Sequence, residues 1–242
     1  MLFDLQSRGR RTAVKIVYLG LAILIGGGLV LFGVGTGTGG GGLFDIFNND
    51  SQDTSVQISN AEKRAQRAVR LNPNDAAAWA ELARARYLRA GQGDNFNETE
   101  QAFTEKGQEQ LQSAANAWDR YLALNPDPPD ANVARLMANA FAATGLNQPA
   151  EAARALEIVA EEDPSAAAFS QLAQYAWLAG QQRKGDLAAA KAVDLAPEAQ
   201  KRTLRSQLDR ANEEIQRQAI QDAIDSGALR QQTTPNTSTT RR

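Results

Sequence analysis

Arg135 and Asn139 stand four residues apart in an alanine-rich stretch, a spacing that places both on one face of a helix. A guanidinium and a carboxamide so arranged can hold a carboxylate or a length of peptide backbone through charge-assisted hydrogen bonds. That is recognition chemistry rather than bond-making chemistry. The 242 residues include no histidine and no cysteine, which removes thiol nucleophiles, disulfides, Cys/His zinc sites and Ser-His-Asp triads. Acidic residues are plentiful but stand beside Lys and Arg, the pattern of solvated helix faces. The glycine run Gly35 to Gly42 lacks the lysine of a phosphate-binding loop, and no Ser-x-x-Lys pair occurs. No catalysis, cofactor or metal is expected. The net charge of −2 gives no reason to expect nucleic-acid binding.

The elements that must position such residues are written as a repeat. An alanine-rich helix ending in proline recurs over Ala61–Pro73, Ala114–Pro126, Ala152–Pro164 and Ala189–Pro197. The prolines return roughly every 34 residues once loop insertions are allowed, a period that means stacked helical hairpins and a binding surface more often than an enzyme. Two insertions interrupt it, Gly91 to Lys106 and Pro126 to Asp130. Residues 56–71 form an unpaired helix at the start. Residues 198–225 form a longer, charged helix at the end, with Leu204, Leu208, Ala211, Ile215, Ala219 and Ile220 on one stripe. This last helix reads as the solvating cap of the array, a coiled-coil seam being the alternative. The polar tail, residues 226–242, reads as disordered.

Ahead of the repeats, residues 1–15 are basic and residues 16–34 carry no charge. The uncharged run is about 28 Å long as a helix, close to the hydrocarbon thickness of a bilayer. It predicts a single transmembrane helix. Arg8, Arg10, Arg11 and Lys15 precede it and no cation follows before Lys63, so the positive-inside rule puts the N-terminus in the cytoplasm and the rest outside. The run is longer than the core of a cleaved signal peptide, and no A-x-A site follows. Residues 35–55 read as a glycine-rich flexible linker.

The repeats resemble tetratricopeptide repeats over about residues 56–200, within a repeat domain of residues 56–225. The last repeat fits best, with Phe169, Leu172, Ala173, Gly180, Ala189, Ala192 and Pro197. The middle one offers Met137, Ala138, Phe141, Gly145, Ala152, Leu156 and Pro164, and the first Trp79, Leu82, Ala83, Ala114, Trp118, Tyr121 and Pro126. The resemblance implies an all-α fold: a right-handed α-solenoid of about three hairpins with a C-terminal capping helix, behind the transmembrane helix and linker. It also implies that the first helix of each hairpin lines a concave groove for a peptide or helix. By repeat position that groove would show Arg84 and Tyr87, then Asn132, Arg135 and Asn139, then Ser170, Gln174 and Trp177. The clamp with which some members hold a C-terminal carboxylate is not expected, because Ala80 and Ala167 are wrong for it. The expected function is a non-catalytic, membrane-anchored scaffold, adaptor or chaperone in the cell envelope, single-pass in the plasma membrane, with the repeats extracytoplasmic. The alternatives are a membrane protein self-assembling through the anchor and last helix, or an accessory subunit of a translocation complex.

Overall fold

The computed structural model describes residues 51–97 and 99–226. Among the described residues eight helices follow one another: α1 (Ser51–Leu71), α2 (Ala76–Ala90), α3 (Glu105–Ala123), α4 (Ala131–Ala140), α5 (Pro149–Glu162), α6 (Ala166–Leu178), α7 (Gln182–Leu195) and α8 (Glu198–Asp225). Between α2 and α3 lie a 3-10 turn and two short strands, β1 (Phe96–Asn97) and β2 (Ala102–Phe103), paired antiparallel. Helices α2/α3, α4/α5 and α6/α7 form three hairpins. Helix α1 packs on α2, α5 on α6, and α8 on α6 and α7, while α2 also reaches α4. The architecture is all-α and repeat-like, built from neighbours in sequence.

Local chemistry fixes the helix starts. Asp75, Thr104 and Ser165 each accept a hydrogen bond from the backbone N–H three residues on, at 3.2, 3.3 and 3.1 Å. Asp130 accepts from the N–H groups of Asn132 and Val133 at 2.8 and 3.1 Å. These side chains satisfy donors that the first helical turn leaves free. Pro149 opens α5 at a position where its missing N–H costs nothing. Gly180 ends α6 with φ +71°. At the corresponding turn after α4 the left-handed residue is Asn147 (φ 53°), not a glycine. Gly145 is needed there for a different reason: a Cβ would come within 2.2 Å of the Ala140 carbonyl oxygen.

The core runs through the array as one body. Alanines at the helix contacts are almost wholly buried, among them Ala83, Ala90, Ala114, Ala134, Ala152, Ala173 and Ala192. Small side chains let the helix backbones approach, and Trp118, Phe141, Leu82, Leu111, Met137 and Leu156 fill the spaces between hairpins.

Two expectations need correction. No helix among the described residues is long and apolar enough to cross a membrane. The predicted span, residues 16–34, lies outside the described residues, as do the basic N-terminus and the tail beyond Ser226. The transmembrane helix in the expected fold, the plasma-membrane localisation and the membrane partner therefore have no structural footing, and the anchored reading is dropped. Helix α1 also begins at Ser51, inside the stretch read as linker.

Candidate functional site

The candidate residues sit on α2, α4 and α6, the first helices of the three hairpins. The structure brings five of them into two adjoining groups. Arg84 of α2 places Nη2 3.4 Å from Asp130 Oδ2, the residue that caps α4, and Nε 3.9 Å from Glu81. Arg84 Nε is buried with no hydrogen-bond acceptor. One turn on, the Tyr87 hydroxyl lies near the Asn139 side chain of α4. Tyr87 is 9 % exposed. Burial pushes its hydroxyl up to about 12, against a smaller lowering by the Asn139 hydrogen bond.

The next step along the array repeats the first. Arg135 of α4 places Nη2 3.4 Å from Asp163 Oδ2, just ahead of α6, and Nη1 3.4 Å from Asn132 Oδ1. So the arginine of each of the first two hairpins reaches the carboxylate that precedes the next. The side chains of Arg84, Asp130, Arg135 and Asp163 are a third or more exposed. Such pairs are long and solvated, and a competing charge can open them at little cost.

On α6 the pattern stops. Ser170 Oγ donates to the Ala166 carbonyl at 2.6 Å within its own helix. Gln174 is half-buried. Trp177 is only 5 % exposed. Its ring lies against α7, where a Cβ on Gly185 would meet the indole at 2.3 Å, and its Nε1–H donates to Asp186 at 3.0 Å. Trp177 is a packing residue here, not the groove-lining one that repeat position implied. The cause is Gly185, whose missing side chain opens a slot for the indole.

Asp130, Asp163 and Glu81, the carboxylates that engage the arginines, were missed by the sequence reading. Their signal was present in part: Asp130 and Asp163 both stand where a helix is about to begin. Also missed was an open cleft of about 690 Å³ between α6 and α7, floored by Phe169, Leu172, Leu187 and Ala188. Among the described residues no group of three or more Asp or Glu side chains is placed to hold a metal ion.

No protein-family model matches the chain. No curated protein matches it in sequence. Membership of the tetratricopeptide family, which the alanine–proline repeats had implied, is withdrawn on that ground. The spacing shows why a family pattern would not fit. The insertion that holds 93–103 lengthens the turn of the first hairpin, so α4 starts 55 residues after α2 while α6 starts 35 after α4, and no single period runs through the three hairpins. What stands is a repeat-like all-α array, and its candidate site rests on geometry alone.

Proposed function

We propose that the chain is a non-catalytic protein-interaction module that takes a peptide or helix along the face formed by α2, α4 and α6. The observation that supports this reading is the row Arg84–Asp130, Tyr87–Asn139 and Arg135–Asp163, in which cations and amides are held in register across two helices. Their ion pairs are weak and open to solvent, so a ligand carboxylate or backbone can exchange with Asp130 or Asp163. The lack of histidine and cysteine, which removes imidazole bases and thiol nucleophiles, supports the non-catalytic part.

The test is selection from a random peptide display library on the wild-type chain, with affinities then measured for Arg135→Ala, Asn139→Ala and Arg84→Ala. Selected peptides should share an acidic residue and lose about tenfold or more on Arg135→Ala. A library that yields only peptides indifferent to all three substitutions would sink the proposal.

A further inference from the structure

Away from the groove, α1 and the turn after α2 enclose a small polar cup of about 230 Å³, lined by Ser55, Ser59, Arg89, Gln92, Gly93 and Asn95. Its walls are hydroxyls, amides, one guanidinium and a glycine backbone; no carboxylate and no apolar side chain lines it. Arg89 is 44 % exposed and engages Glu62 through Nη1 alone, at 2.8 Å. Among the described residues its Nε and Nη2 have no acceptor, and the side chains of Ser59 and Gln92 have no hydrogen-bond partner. Three side chains with donors to spare therefore border one space.

The charge around the cup is unbalanced in the matching sense. Glu62 is a single carboxylate shared by two guanidiniums, Arg89 at 2.8 Å and Arg86 at 3.6 Å. Lys63, one turn along α1 from Ser59, is exposed and has no carboxylate partner among the described residues. Asp94 is exposed and lies outside the lining. Three cations then stand against two carboxylates. The helix ends do not reverse this. The last turn of α2 lies beside the first turns of α1, so their dipoles offset one another. The Arg89 carbonyl at that end is already taken by the N–H groups of Gly91 and Gln92 and by the Asn95 amide at 2.9 Å.

The arginine is also held ready. Its anchor, Glu62, is buried, so the guanidinium is fixed at the wall of the cup before anything binds, and little side-chain freedom is left to lose. An apolar group finds no surface here and a cation meets surplus positive charge. We infer that this cup binds a phosphate group, free or as the end of a monoester. A tetrahedral oxyanion offers acceptors in several directions, toward Arg89, Ser59 and Gln92 together, where a planar carboxylate offers two oxygens in one plane. Bound there, it joins the start of α1 to the end of α2.

The experiment is a titration of the full chain, in one non-ionic detergent, with inorganic phosphate at an ionic strength held constant by chloride, read from the backbone amide resonances. Ser59, Gln92 and Gly93 should shift together and saturate at about millimolar phosphate. Ser59→Ala should weaken binding by about tenfold, because one hydrogen bond to a charged group is lost. Arg89→Gln should abolish it, and Arg89→Lys, which keeps the charge beside Glu62 but not the fork, should recover part. Ser59→Ala carries the test if Arg89→Gln loosens α1. Phenyl phosphate distinguishes the two sources: tighter binding than inorganic phosphate supports a carried group, weaker binding supports the free ion. The inference is overturned by the absence of a saturable shift at these amides, or by a shift that chloride alone reproduces. Acetate bound as tightly as phosphate, or binding indifferent to both Ser59→Ala and Arg89→Gln, would overturn it equally.

Discussion

At the first helix the array is closed by charge. Glu62 of α1 is only 7 % exposed. It takes Arg89 at 2.8 Å, Arg86 at 3.6 Å and the Gln66 amide at 2.9 Å. Arg86 goes on to donate to the Ser113 carbonyl at 3.0 Å, so one carboxylate indirectly ties α1, α2 and α3. At the last helix the closure is apolar and sparse: only Leu208 and Ile215 of α8 are buried. A directional buried pair fixes orientation but fails badly when one partner is lost, whereas apolar contact degrades in proportion to what is removed. The two ends should therefore break differently.

The largest expected effect is at the charged end. Glu62→Ala leaves the Arg86 guanidinium part-buried without its carboxylate, and should cost about 3 kcal/mol in denaturant unfolding. Amide exchange should accelerate in α1, α2 and the middle of α3 around Ser113 together. If only α1 loses protection, the coupling through Arg86 is wrong. At the apolar end Leu208→Ala should cost about 2 kcal/mol, and the loss of exchange protection should stay within α8. A global loss would show that α8 is integral to the core rather than a lid on it.

A smaller effect appears with alkali. The Tyr87 hydroxyl titrates near 12 in the folded chain and near 10 in an unfolded one. Its contribution is fully present below pH 10, and is lost as pH rises from there through 12, because the unfolded chain ionises first. Tyr87→Phe should remove that part of the alkaline decline, measured by thermal melting between those two values. The smallest effect is at the exposed pairs. Arg135→Gln should shift stability by no more than about 0.5 kcal/mol, so any loss of peptide binding it causes reports on recognition and not on folding.

The helical hairpins were legible in the sequence because their signals are local. Asp75, Asp130 and Ser165 cap, Pro149 opens, and alanine recurs on the contact faces. The assignment to a named family was not, since it needs one regular period and the stretch inserted between α2 and α3 denies it. On α2 and α4 the arginines named from register pair with the carboxylate ahead of the next hairpin, Arg84 with Asp130 and Arg135 with Asp163. Trp177 was placed badly. Register says which face of the helix a residue occupies, but whether that face is open depends on Gly185, eight residues on and in another helix. The cleft beside it escaped for the same reason: Leu187 interrupts no pattern, and its exposure is set by what does not pack on it.

The stretch between α2 and α3 is closed upon itself. Phe96 and Phe103 meet edge to face with ring centroids 5.2 Å apart. Thr104 donates to the Asp94 carbonyl at 2.8 Å, and Gly107 lets the Asn95 carbonyl approach where any side chain would collide. Both strands of this small clip are held at their base, next to the helices they leave. A single cut at Thr99 should then leave two fragments that stay associated through the packing of α2 on α3. Expressed separately, residues 1–99 and 100–242 should find each other again, which makes this clip a natural seam for splitting the protein into complementing halves.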